Sequence, residues 1–133
     1  MTAATTLLAL ATRAEAGGDD ALSDDCWRAL GWREITARNN DGPPYFAGGW
    51  QNAERGYVPG PRPDLRDSLD AVEEVPGRIV KVQWLPQHNR WGAETEAVTQ
   101  FPDICLVSIA PTEILARLAA KLRALAHKES NHG

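Results

Sequence analysis

The chain has 133 residues, 43% of them hydrophobic and 24% charged, with a formal net charge of -4. That length suits one domain, able to bury about two thirds of its unfolded surface without a disulfide or metal to hold it, and the composition excludes disorder throughout. A mild negative charge gives no general attraction to phosphates or anionic membranes, which counts against a nucleic-acid binder.

Thr2 to Ala16 predict a first helix, with Leu7, Leu8, Leu10, Ala11 and Ala14 as an apolar stripe and Gly17-Gly18 as the stop. Asp19 or Asp20 is expected to cap a second helix through Leu22, Cys26, Trp27 and Leu30 to Gly31, its early acids opposing the positive end of the helix dipole. Trp32 to Ala37 alternates as a short strand does. Residues 38–63 then change character, holding five of the eleven glycines and five of the nine prolines. A long loop is expected there, with at most a short strand around Tyr57-Val58. A third helix is predicted from Asp64 or Asp67 to Val75, ended by Pro76-Gly77.

The second half reads as a sheet closed by a helix. Arg78 to Leu85 places Val80, Val82 and Trp84 on one face, with Lys81 and Gln83 on the other. Pro86 to Asn89 forms a turn, and Arg90 to Ala97 returns as the second strand of a hairpin. The nearly continuous apolar run Ile104 to Ile109 predicts the most buried strand. Pro111 suits the first turn of a last helix reaching about Ala126, with Ile114, Leu115, Leu118, Leu122 and Leu125 inward and Arg117, Lys121, Arg123 and Lys128 outward. A polar tail over residues 128–133 follows. No strand–helix–strand alternation of a parallel nucleotide-binding sheet occurs. The expectation is one α+β domain over 1–133, an antiparallel sheet of three to four strands with helices packed on it in an αβα sandwich-like arrangement.

Chemistry is sparse. The three histidines, His88, His127 and His132, are scattered, so no metal site is expected. No Gly-x-Ser-x-Gly elbow and no phosphate-cradling glycine loop occurs, so neither an enzyme nor a cofactor is expected. Cys26 and Cys105 read as small buried hydrophobes. The start of the chain has no basic region, its apolar run Leu7 to Ala11 is short for an export signal, and no stretch approaches the roughly 20 residues of a membrane span. A cytoplasmic protein is expected.

Three groups remain as candidate sites. Asp67, Asp70 and Glu74 at helical spacing would share one face as an acidic patch, most simply a solvated one. Arg78, Lys81 and Arg90 could gather on the hairpin as a weak phosphate footprint. Trp27, Trp32 and Trp84 have inward periodicity and are expected in the core. The long loop is the strongest candidate, because Tyr45, Phe46, Trp50 and Tyr57 lie in a stretch whose length is uncommon for a structureless connection. These rings either fold back over the sheet or present themselves to a partner, and Trp91 near the hairpin could join them.

The pattern is similar to the phage ABA sandwich domain family of small phage and prophage proteins. The matching stretches are "LLALATRAEAG", "CWRALGWR", "DLRDSLDAVEEVPG" and the closing "APTEILARLAAKLRALA". The resemblance implies a sheet between helices and a viral or proviral gene, and it carries no functional residue. The middle strands depart from it, lacking the small-residue-rich run before the last helix. With the aromatic loop, it leads to an expected function: a non-enzymatic protein-binding phage accessory protein, such as an anti-CRISPR-like inhibitor of a host defence system. A nucleic-acid-associated or virion-assembly role is the alternative, and a homodimer is left open.

Overall fold

The computed structural model describes residues 3–36, 48–96 and 107–132, the side chains of 130–132 excepted. Among the described residues the fold is α+β, with four helices and two separate three-stranded antiparallel sheets.

Helix α1 (Ala3–Glu15) buries the expected stripe through Leu7, Leu10, Ala11 and Ala14, while Leu8 stays largely exposed. Gly17 and Gly18 take positive φ and let their N–H groups return to the carbonyls of Ala14 and Arg13 at 3.1 and 2.9 Å, ending the helix. Helix α2 (Leu22–Ala29) is preceded by Ala21, which has no side-chain cap of its own. Asp19, one of the two expected caps, acts just ahead of the helix: its Oδ1 accepts from the Ala21 N–H at 3.1 Å, and both of its oxygens accept from Arg13.

Strands β1 (Trp32–Glu34), β2 (Trp50–Asn52) and β3 (Gly56–Val58) form the first sheet in that order, with Trp32 opposite Asn52 and Trp50 opposite Val58. The Gly/Pro-rich stretch therefore contributes two strands. The β2–β3 turn is closed by Asn52, whose Oδ1 accepts from the N–H groups of Glu54 and Arg55. Gly49 is flat against the Tyr57 ring; a Cβ there would come within 2.6 Å of it.

Helix α3 (Leu69–Glu73) starts later than the sequence suggested. Its cap is Ser68, whose Oγ accepts from the Ala71 N–H at 3.1 Å, because Asp64 is engaged instead in its own turn with Arg66. Strands β4 (Ile79–Leu85), β5 (Arg90–Thr95) and β6 (Ser108–Ala110) form the second sheet. Asn89 takes the left-handed conformation in the β4–β5 turn, a place asparagine tolerates. Of the predicted run Ile104 to Ile109, residues 104–106 lie outside the described residues; Ser108 and Ala110 are fully buried.

The last helix, α4 (Glu113–His132), begins one residue beyond its cap Thr112, whose Oγ1 accepts from the Leu115 N–H at 3.2 Å. Pro111 thus precedes the cap rather than entering the first turn. Helix α4 lies under β5 and β6 and packs most extensively on α1, and its Ala116, Ala119 and Ala120 are all buried. Small residues let the two backbones approach closely. Arg123 bridges to the Glu15 carboxylate and Arg90 donates to the Glu15 carbonyl at 3.1 Å, so the end of α1 is tied to both α4 and β5.

Lys121 overturns its expected outward placement. It is only 1% exposed, and its Nζ donates to the carbonyls of Val72 and Val75 at 2.8 and 3.0 Å. The cation caps the end of α3, where carbonyl groups have no helical partner. Burial pushes its pKa below the ordinary lysine value.

Candidate protein-binding surface

The aromatic residues singled out in the sequence do not gather on one loop surface. Tyr45 and Phe46 lie outside the described residues. Trp50 is 2% exposed, with the Arg28 guanidinium 5.5 Å from its ring centroid, so it belongs to the core and not to an exposed loop. Pairing with β1 and β3 makes this stretch a regular strand, and the ring stands on the face of it that meets the core. Tyr57 is half-buried over Gly49. Trp91 is half-buried on β5, where its ring meets that of Trp84 edge-to-face at 5.6 Å and 69°.

Trp84 departs furthest from its sequence pattern. Its periodicity predicts burial, yet it is 43% exposed. The place of its strand explains this. Strand β4 is the edge of its sheet, and α4 lies mainly under β5 and β6. A bulge between Ile79 and Lys81 inserts Val80 as an extra residue, breaking the alternation and leaving Val80 50% exposed. Beyond the bulge the ladder is regular, with Val82 opposite Ala93, Trp84 opposite Trp91 and Leu85 opposite Arg90. Among the described residues, no strand pairs with the outer edge of β4. An edge-to-face aromatic pair thus stands at a strand edge that the described strands leave unpaired.

The charged candidates separate. Asp67 precedes α3 and so cannot share a helical face with Asp70 and Glu74. Glu74 is engaged by Arg62 and, at 3.6 Å, by Arg55. Arg78 and Arg90 lie at opposite ends of the hairpin, roughly 20 Å apart at strand rise. Arg90 reaches Glu15, and Lys81 sits opposite Glu94, so the three bases make no common footprint.

A second constellation had no sequence signal. Trp27 and Trp32 meet at 6.3 Å and 78°, and the Arg62 guanidinium lies 4.3 and 4.2 Å from their centroids. Arg62 comes from the stretch between β3 and α3, which is held on α2 by further bonds. The Trp27 Nε1–H and the Ser23 Oγ–H both donate to the Pro63 carbonyl, and Ser23 Oγ accepts from the Leu65 N–H.

Two open grooves flank α2. One, of about 420 Å³, is lined by Leu10, Arg13, Asp25 and Arg28, and the other, of about 430 Å³, by Arg28, Trp32, Arg33 and Glu34. Their arginines are already engaged: Arg13 with Asp19 and Asp25, Arg28 with Asp25 and Glu34. Burial pushes the Cys26 thiol up to about 12, leaving it no nucleophile near neutral pH. Cys105 lies outside the described residues. Among the described residues, no three His, Cys, Asp or Glu side chains cluster as metal ligands would, and no helix is long and apolar enough to cross a membrane.

The fold and surface define a small α+β domain with an aromatic sheet edge. Comparison with protein-family models, curated proteins and solved structures found no match to this chain.

Proposed function

We propose that this chain is a non-enzymatic protein-binding module that grips its partner along β4, with Trp84 as anchor. The observation that carries the reading is the exposed Trp84 ring braced against Trp91 at a strand edge that no described strand pairs. Aromatic rings held in one orientation lose little entropy on binding and concentrate interface energy. An open edge adds main-chain donors and acceptors for an extended segment of the partner. The family resemblance supplies the setting: a phage or prophage accessory protein in the host cytoplasm, engaging a host or phage protein. An anti-CRISPR-like inhibitor of a defence complex is its most concrete form.

The test is affinity capture from host lysate with the wild type, W84A and L8A, the last an exposed apolar control on α1. W84A should melt within a few degrees of the wild type and lose the specific partner, while L8A keeps it. Retention of every specific partner by folded W84A refutes the assignment.

A further inference from the structure

The structure carries a second, independent feature at the corner of α2 and β1. Trp27 and Trp32 stand nearly perpendicular, as two walls of a box, and both are buried. A cation sits about equally close to both faces. The Glu74 carboxylate closes a third side, accepting from Nη2. Two aromatic faces and one carboxylate are the recognition chemistry for a planar organic cation. The backbone of each wall is placed without the cation, Trp27 by α2 and Trp32 by the β1–β2 pairing, and the Trp27 indole is further held by the Pro63 carbonyl.

The occupant is the chain's own side chain. Arg62 is flanked by Pro61 and Pro63, and only 8% of its side chain is exposed. It is incompletely satisfied, since its Nε is buried with no acceptor. We propose that Trp27, Trp32 and Glu74 form a guanidinium-binding cage, filled in this fold by Arg62 as the latch of the overlying segment 59–68. The ligand class is an alkylguanidinium, the head group of an arginine side chain. This goes beyond the β4 reading and stands or falls apart from it.

Chemical rescue tests it. Arg62→Ala empties the cage, whereas Arg62→Met keeps a stem that fills it without charge. Methylguanidinium chloride is titrated at millimolar concentration, below the denaturing range, against sodium chloride at equal ionic strength. Unfolding is followed thermally or, should the alanine variant be unfolded alone, as the yield on dilution from urea. In R62A the response should saturate, and at ten times the dissociation constant the folding equilibrium should rise about 11-fold. Wild type and R62M should not respond. No saturable response in R62A, or an equal response in wild type or R62M, overturns the proposal.

Discussion

Replacing Lys121 separates the two things a buried lysine does. Its Nζ makes two hydrogen bonds to the end of α3, to the carbonyls of Val72 and Val75. The Val72 carbonyl also accepts from the Val75 N–H, so chiefly the Val75 carbonyl is stranded when the amine goes. Losing a charged donor to a buried carbonyl costs about 1–3 kcal/mol. In Lys121→Met the stem is kept, so the loss should stop near that figure. In Lys121→Ala about three further buried methylene-sized groups vanish, adding about 2 kcal/mol at ~0.8 kcal/mol each. The alanine variant should therefore lose about 3–5 kcal/mol, read from urea unfolding at neutral pH. The pH dependence tests the charge itself. The folded-state pKa lies below the ordinary 10.5, so between these two values the unfolded chain holds more protons than the folded one. Wild-type stability should accordingly rise with pH in that window relative to K121M. The bonds survive, since a neutral amine still has two N–H donors. The Cys26 thiol, raised by burial, works in the opposite direction above its ordinary value of 9.0, but it is common to both proteins and cancels in the difference. A K121A loss no larger than that of a surface substitution, about 0.5 kcal/mol, would refute the reasoning.

Core packing and acid stability give two other expected outcomes. Trp50→Ala should cost about 3–5 kcal/mol in urea unfolding, as expected of a ring that is part of the core; a near-wild-type midpoint would return this ring to the surface. Asp19 and Asp64 are held below the ordinary 3.8 chiefly by side-chain bonds from Arg13 and Arg66. Their stabilisation is present above 3.8 and lost as pH falls through the folded-state values, so the D19N/D64N double variant should show a flatter acid-unfolding profile than wild type.

Long, uninterrupted patterns were the legible part of this sequence. The α1 stripe and the Leu/Ala run of α4 repeat over several turns, and both stripes are found inward except for the exposed Leu8. The β4–β5 hairpin was marked by its turn residues. What stayed hidden depended on partners remote in sequence. Strand β2 is three residues long, too short to show alternation, and exists because β1 offers it an edge, whereas β3 falls where a short strand around Tyr57-Val58 was expected. Trp84 obeys its period but sits where no helix covers it. Lys121 has a charge that argues for solvent, yet it lies one turn from Leu118 and next to Leu122, on the side where α3 arrives. Arg62 between two prolines reads as loop, and nothing local announces two indoles some thirty positions upstream.

The tryptophans divide by sheet. Trp27, Trp32 and Trp50 are sealed around the first, whereas Trp84 and Trp91 stand at the rim of the second. Each half of the molecule consequently carries its own optical reporter. The sealed group emits from beside the Arg28 and Arg62 guanidinium groups, out of reach of a dissolved quencher, and the rim pair emits from a wetter setting. Light alone can therefore distinguish loosening at one end of the domain from loosening at the other.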